Sequence, residues 1–322
     1  MNANLENSSA DEALNTILPR IVVQVSPSYY FVFAGHIEKI TQALNEACRM
    51  GYDVLCNGGT AVDAVEKTIC SIEDNFFFNC GYGSFLNNDG DIECDAMIMD
   101  GNTLDTGAVM AARNFKNPVA IARQIMEKTI HSAIAGDGVL DFAKKIEFET
   151  CTNDQLKHPQ AEEYRINYDQ LPKIIEKHFG VCDSVSAVAM DKDGHFACAL
   201  SSGGLPGKLK GRLSEACTVG CGGYANKYGA AATGGYGEAI RKMTLARQVV
   251  FNMESGQDAQ ASVRNALQLM KETLPRKDFP LASAISIDCN GKIGVESETS
   301  ILWSSIAGGE KWCGMKMKPK KE

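Results

Sequence analysis

The stretch that decides the fold of this chain is CDSVSAVAMD, residues 182–191. A polar Asp-Ser peptide bond leads here directly into an apolar run that is typical of a buried β-strand. A hydroxyl buried at the start of a strand costs free energy unless it has partners, although Asp-Ser also suits a plain strand entrance or cap. If the chain is cut between Asp183 and Ser184, a new α-amino group lies beside the Ser184 hydroxyl. An amine with a pKa of about 7.7–8.0 can accept that proton, so one residue would supply both nucleophile and general base.

The composition predicts a soluble globular protein. The chain has 322 residues, of which 44% are hydrophobic and 22% charged, enough for one large or two ordinary domains. A net charge of −8 argues against nucleic acid or an anionic membrane surface as the main partner. No stretch is long and apolar enough to cross a membrane, and the N-terminus lacks the apolar segment of a secretory signal. We therefore expect a cytoplasmic or nuclear protein.

The cysteines predict neither a disulfide framework nor a metal site. Twelve cysteines are scattered through apolar stretches, with no Cys-x-x-Cys pair. None of the five histidines stands at ligand spacing from a cysteine, so a zinc site is not expected. We interpret the cysteines as reduced core thiols of an intracellular protein.

The hydrophobic pattern predicts an α+β protein with a single layered domain. Strands in pairs and helices in pairs favour layers over alternating βαβ units. We expect a flexible leader over residues 1–25, a polar flexible connector over about 145–183 and a basic tail over 316–322. Helical spacing is found at 37–50, 62–72, 119–130, 238–254 and 257–274, and strand patterns at 29–35, 92–99, 106–110, 184–191, 196–202, 230–232, 281–287 and 293–296.

Several glycine-rich motifs resemble a known family. SSGG, GR, GCGGYA and GYGE follow the Asp-Ser stretch, at 201–204, 211–212, 220–225 and 235–238. Upstream, similar motifs occupy 57–66, 78–84 and 95–101. Together they resemble the N-terminal-nucleophile hydrolases, in the branch of plant-type asparaginases with isoaspartyl peptidase activity, glycosylasparaginases and taspases. The resemblance spans about 34–145 and 180–300, and taspases look nearest.

The resemblance implies a four-layer αββα sandwich that is made as one precursor and cuts itself. The α portion would be residues 26–183 and the β portion 184–315, packed together as one domain. Relatives of this kind pair as homodimers of processed αβ units, so we expect the same here.

The resemblance also assigns roles to four polar residues. Ser184 stands where the family has its threonine nucleophile. Ser202 matches a second hydroxyl that orients the nucleophile and relays a proton. Asn79 matches an asparagine that supports the nucleophile, and Arg212 matches the arginine that grips the carboxylate of the substrate.

Other positions depart from the family pattern. Glu215 stands where asparaginase-type members have an aspartate for the α-amino group of the substrate. The oxyanion hole of the family combines a hydroxyl with the amide of the next glycine, in a Gly-x-Gly segment that matches Gly235 and Gly237. Matching GYGE at 235–238 to the family motif puts Gly234 at the position of the hydroxyl and Thr233 one residue before it. Either the Thr233 hydroxyl reaches the oxyanion hole or one hydrogen-bond donor is lost.

No cofactor or metal is expected at the reacting centre. The 73–83 loop resembles a family loop that holds a monovalent cation through backbone carbonyls, although a loop without an ion fits the sequence equally well. The family has a glycine-rich turn after the position of Phe33 that supports self-cleavage, and this chain is several residues short there.

Three functions fit these features. The first is a taspase-like endopeptidase that cuts proteins after aspartate, with Arg212 gripping the side-chain carboxylate. The alternative is an isoaspartyl peptidase or L-asparaginase acting on small β-aspartyl amides, which the charge of Glu215 and the short connector favour. A second alternative is a non-catalytic paralogue that serves as a binding or dimerising subunit, suggested by Ser184, Gly234 and the short turn. The taspase-like motifs lead us to expect the first.

Overall fold

The computed structural model describes residues 17–25, 35–163, 165–177, 184–275, 279 and 281–316. The strands of this part of the chain are β1 (Arg20–Val25), β2 (Cys94–Asp100), β3 (Thr106–Ala112), β4 (Ile134–Ala135), β5 (Val185–Met190), β6 (Phe196–Ser202), β7 (Gly223–Asn226), β8 (Gly229–Gly235), β9 (Ala282–Asp288), β10 (Ile293–Ser297), β11 (Ile301–Ala307) and β12 (Glu310–Lys316). The helices are α1 (Ile37–Cys56), α2 (Ala61–Glu73), α3 (Pro118–Lys128), α4 (Asp137–Lys145), α5 (Asn153–Leu156), α6 (Leu171–Lys177), α7 (Gly237–Met243), α8 (Leu245–Glu254) and α9 (Ala259–Thr273).

The strands form two sheets. The larger has eight strands in the order β12-β11-β1-β5-β6-β2-β3-β4, and the smaller has four in the order β10-β9-β8-β7. Neighbouring strands are antiparallel except for the short parallel pair of β3 and β4. Because β5 lies between β1 and β6, the stretch that opened the sequence analysis is a central strand, as its unbroken apolar run predicts.

Side-chain alternation along the strands produces four layers. Ile21 and Val23 of β1 pack with helices α1 to α3, whereas Val22 packs between the two sheets. The outer face of the smaller sheet packs against helices α7 to α9, through residues such as Ala231 and Ala284. The order is therefore helices, large sheet, small sheet, helices, and the αββα layers agree with the expected fold class.

The N-terminal boundary that we predicted is wrong. Residues 20–25 were expected within a flexible leader, yet β1 pairs with β5 on one side and β11 on the other. Val22, Val23 and Val25 are fully buried in this strand. The predicted strand at 29–35 lies outside the described residues except for Gly35, which is in a turn.

Three further boundaries differ from the sequence prediction. The helix expected at 238–254 is two helices, because Thr244 has a left-handed φ of 45° between α7 and α8. The last strand predicted was the one at 293–296, but β11 and β12 follow it and pair with each other. Lys316, which we placed in the basic tail, is the last residue of β12, and residues 317–322 lie outside the described part.

The connector contains only short helices where it is described. Between residues 145 and 177 the structure has α5, α6 and a 3₁₀ turn at Tyr168–Gln170. The Thr152 side chain caps α5 by accepting a hydrogen bond from the Gln155 amide. Residues 178–183 lie outside the described part, so the predicted cut site is described only on its Ser184 side.

The described cysteines form no disulfide. Cys48, Cys80, Cys94, Cys198, Cys217 and Cys221 are buried, as expected for core thiols. Cys56, Cys289 and Cys313 are exposed, which corrects the expectation that the cysteines belong to the core. No described helix is long and apolar enough to span a membrane.

Candidate active site

Ser184 lies directly before the central strand β5, on the side that faces the smaller sheet. In the antiparallel pairing, Val185 is opposite Ser201 and Ser202 is opposite Asp95. Continuing that register by one residue places Ser184 opposite Ser202. The sheet therefore aligns Asp95, Ser202 and Ser184 across three neighbouring strands.

The Ser184 hydroxyl donates a short hydrogen bond to Oε1 of Glu215. Both residues are almost completely buried, with 3% and 1% of their surfaces exposed. Burial raises the pKa of the Glu215 carboxyl to about 7, although the bond from Ser184 and the charge of Arg212 act against that rise. A carboxyl that changes charge near neutral pH therefore touches the candidate nucleophile.

Arg212 forms a two-pronged ion pair with Glu238. Its Nε and Nη2 atoms donate to Oε1 and Oε2 of Glu238 over 2.8 and 2.7 Å. Burial by itself would lower the pKa of the Arg212 guanidinium, but the bonds to Glu238 outweigh it and the net pKa is raised. Arg212 is thus a fixed cation near Glu215, the residue that contacts the candidate nucleophile.

Gly237 explains how these side chains come so close. A Cβ atom at this position would lie 2.5 Å from Oε2 of Glu215 and 3.1 Å from Nη2 of Arg212. Any larger residue would displace one of the two side chains. Gly235 has a φ of +135° and also lacks room for a side chain, since a Cβ atom there would lie 2.5 Å from the Leu281 carbonyl oxygen.

Asn79 holds the turn that follows Ser202. Its side-chain amide donates to the Gly204 carbonyl over 2.7 Å, and its backbone carbonyl accepts from Gly203 over 2.8 Å. Within the turn, the Ser202 hydroxyl accepts a hydrogen bond of 3.0 Å from the Gly204 amide. Asn79 therefore fixes the turn that follows Ser202, the residue that the strand register places opposite Ser184.

Thr233 does not face Ser184, contrary to the role we considered for it. Neighbouring residues of a strand point to opposite faces, and the Thr233 hydroxyl donates to the Cys221 and Gly222 carbonyls over 3.0 and 3.2 Å. Gly234 is the residue that faces the nucleophile, since a Cβ atom there would lie 3.6 Å from the Ser184 carbonyl oxygen. The position that needs the oxyanion hydroxyl therefore has no side chain.

Asp95 and Lys208 support the site, and the sequence analysis gave them no role. The Asp95 carboxylate accepts hydrogen bonds from the amides of Ala111 and Ser214, over 2.8 and 2.7 Å, and so fixes the loop that carries Glu215. Lys208 is 1% exposed and donates to the Glu93 carbonyl over 2.9 Å. The sequence could have pointed to Asp95, because it is a charged residue inside a strand pattern. The burial of Lys208 could not be predicted in this way, because it depends on how the loop folds.

Backbone carbonyl oxygens of the 73–83 loop pack closely against two of its glycines. The Glu73 carbonyl oxygen lies 2.5 Å from a Cβ atom built on Gly81, and the Phe76 oxygen lies 2.7 Å from one built on Gly83. The monovalent cation that the resemblance implies for this loop stays a prediction. Among the described residues, no group of three or more His, Cys, Asp or Glu side chains could hold a metal.

Comparison with known proteins decides the family. A family model described as asparaginase matches residues 31–314. The chain belongs to the asparaginase family. An isoaspartyl peptidase/L-asparaginase of Danio rerio is 40% identical over 290 residues, which cover 88% of this chain and 92% of that protein. One from Xenopus laevis is 41% identical over 71% of this chain and 74% of its own length. A plant-type L-asparaginase of Pyrococcus abyssi is 34% identical over 82% of this chain and 88% of its own.

These relatives change the order of our functional expectations. The asparaginase family is the one that the motifs predicted. The three relatives are named for isoaspartyl peptidase or asparaginase activity, however, and not as taspases. They therefore favour the alternative that we placed second over the taspase-like endopeptidase.

Proposed function

We propose that this member of the asparaginase family is an isoaspartyl peptidase or L-asparaginase that hydrolyses small β-aspartyl amides. The observation that carries the proposal is the grouping of Ser184, Glu215 and Arg212: the Ser184 hydroxyl donates to the Glu215 carboxylate, and Gly237 packs against both Glu215 and Arg212. A nucleophile and a fixed cation near one buried carboxylate suit a substrate that carries its own carboxylate next to the bond to be cut.

The chemistry follows from the N-terminal nucleophile. After a cut between Asp183 and Ser184, the free α-amine takes the hydroxyl proton, and the Ser184 oxygen attacks the amide carbon of the substrate. The amine returns the proton to the leaving nitrogen, and water then hydrolyses the ester. Arg212 binds the substrate carboxylate, and the amide of Gly235 is the oxyanion donor that the motif retains.

Several departures from the family motif are expected to make the enzyme slow. Ser184 lacks the β-methyl group that restricts the side chain of threonine. Gly234 provides no hydroxyl to the oxyanion hole, and a missing donor costs about 10²–10³ in rate. Glu215 keeps the negative charge expected for binding an α-amino group, but its longer side chain reaches Ser184.

The assembly and the loop ion belong to the same proposal. We expect the processed αβ units to pair as homodimers in the cytoplasm or nucleus, without nucleic acid or membrane as partners. Backbone carbonyl oxygens of the 73–83 loop would hold a monovalent cation that rigidifies the loop behind Asn79. Neither feature takes part in a chemical step.

The test begins with the purified recombinant chain. Intact-mass analysis should show two fragments, one that ends at Asp183 and one that starts at Ser184. The processed protein is then offered a β-aspartyl dipeptide, asparagine and a folded protein with an accessible Asp-Gly site. We expect turnover of the first two, whereas cleavage of the folded protein alone would favour the taspase-like endopeptidase.

A matched pair of variants connects the activity to the nucleophile. Ser184→Ala should abolish turnover. Ser186→Ala should leave it unchanged, because Ser186 is equally buried in the same strand and its hydroxyl has no hydrogen-bond partner among the described residues. A chain that stays uncut and inactive, with Ser184→Ala behaving identically, would instead support the non-catalytic paralogue that Gly234 suggests.

A further inference from the structure

The hydrogen bond between Ser184 and Glu215 gives Glu215 a second potential role in the uncut chain. Before the cut, the nitrogen of Ser184 is part of a peptide bond and has no lone pair available to accept a proton. The group in contact with the hydroxyl is then the Glu215 carboxylate, whose Oε1 accepts the bond directly. A general base must lie within hydrogen-bond reach of the proton that it removes, and Glu215 meets that condition.

The surroundings of Glu215 allow it to gain and lose a proton near neutral pH. Arg212 and Glu238 lie on one side, Asp95 of β2 holds the preceding residue, and Arg241 of α7 donates to the Leu213 carbonyl. Burial raises the pKa of Glu215 to about 7, and the favourable charge of Arg212 limits the rise. A carboxyl with such a pKa is a much stronger base than an exposed one.

We propose that Glu215 is the general base that removes the Ser184 hydroxyl proton when the chain cuts itself. The proposal rests on the proposed function, because it concerns the step that creates the N-terminal nucleophile. It makes Glu215 a catalytic residue of that step, in addition to any contact with a substrate.

The step balances without any further reactant except water. Glu215 takes the proton from the Ser184 hydroxyl, and the oxygen attacks the carbonyl carbon of the peptide bond before it. That carbon belongs to Asp183, which lies outside the described residues but is bonded to the Ser184 nitrogen. The carbon–nitrogen bond breaks, the nitrogen takes the proton back from Glu215, and an ester remains. Water hydrolyses the ester to the Asp183 carboxylate and the free Ser184 hydroxyl.

The experiment follows self-cleavage of newly made full-length chain by intact mass. Cell-free translation supplies uncut protein, which is transferred to buffers between about pH 5.5 and 8.5. The wild-type rate should rise with pH through about 7, as Glu215 becomes ionised. Glu215→Gln keeps the size of the side chain but cannot act as a base, so it should cut about 10²–10⁴-fold more slowly and lose that rise.

Two further variants separate the base from a structural effect. Glu215→Asp retains a carboxylate that is one methylene shorter, so it should cut slowly and keep the rise with pH. Glu254→Gln removes a carboxylate paired with Arg247 on α8 and should cut at the wild-type rate. Circular dichroism of each variant checks that the chain is folded.

Two results would overturn the proposal. One is a folded Glu215→Gln chain that cuts at the wild-type rate with the same pH profile. The other is a wild-type chain that stays uncut across the whole range. Turnover of the β-aspartyl dipeptide by processed protein is measured separately. If the processed protein turns over the dipeptide but self-cleavage does not depend on Glu215, only the role of Glu215 as a base is refuted. If self-cleavage depends on Glu215 but the processed protein does not turn over the dipeptide, only the proposed function is refuted.

Discussion

At the scale of single residues, the candidate site differs from the family motif in three coordinated places. Ser184 is smaller than threonine, Glu215 is longer than aspartate, and Gly234 has no hydroxyl. The longer side chain of Glu215 reaches the Ser184 hydroxyl. The third leaves an open position beside the nucleophile, which a substitution can fill.

We predict that Gly234→Thr raises the rate. A Cβ atom at this position would lie no closer than 3.4 Å to its neighbours, with Ser283 Oγ the nearest atom and Ser184 in contact. The new hydroxyl would restore an oxyanion donor, and we expect turnover of a β-aspartyl dipeptide to increase by about 10²-fold. Gly234→Val is the matched control, since it adds the same bulk without the hydroxyl. An equal gain in both variants would show that the hydroxyl is not responsible.

At the scale of secondary-structure elements, helix starts were predictable, whereas strands near the chain ends were not. Thr60 follows two glycines directly before a run with helical spacing, which is typical of a cap, and in the structure its side chain accepts a hydrogen bond from the Asp63 amide at the start of α2. Local hydrogen bonding decides such a cap, so nearby residues suffice to predict it. β1, by contrast, is a strand because β5 and β11 flank it, and both partners lie far away in sequence.

We predict that Thr60→Ala lowers the free energy of unfolding by about 1 kcal/mol. The change removes the hydroxyl that accepts from the Asp63 amide, whereas the backbone amide of residue 60 can still donate to the Asp63 carboxylate. Urea unfolding followed by circular dichroism measures the loss. Thr152→Ala makes the same change at the four-residue helix α5 and should cost clearly less, because that helix contributes little buried surface. Equal losses would argue against this explanation.

At the scale of the whole molecule, the layered packing buries carboxyl groups that respond to pH. Glu73 ends α2 between the helices and the large sheet and has no exposed surface. Its Oε1 accepts from the Val119 amide over 3.1 Å, at the start of α3. Burial raises the pKa of Glu73 from 4.5 to about 8. The folded chain therefore binds this proton more tightly than the unfolded chain does.

We predict that the free energy of unfolding falls as the pH rises from about 4.5 to about 8. For an acid with a raised pKa in the folded state, the stabilising contribution is complete below about pH 4.5 and is lost as the pH rises through about 8. Glu73→Gln should therefore reduce the decrease in unfolding free energy between pH 5 and 8. The free energy of unfolding is measured by chemical denaturation in a Ser184→Ala background, so that every sample stays uncut. Glu46→Gln, which changes an exposed carboxylate, is the control. An unchanged pH dependence in Glu73→Gln would contradict the prediction.

The sequence by itself determined the family, the layered α+β class and the central strand after Ser184. These features depend on alternation, helical spacing and ordered motifs, which are local properties of the chain. Only the tertiary structure decided that Thr233 faces away from Ser184, that Glu215 reaches the nucleophile and that β1 is a central strand. Each of these depends on which face of a strand meets which distant neighbour, and that is settled by packing between segments far apart in the chain.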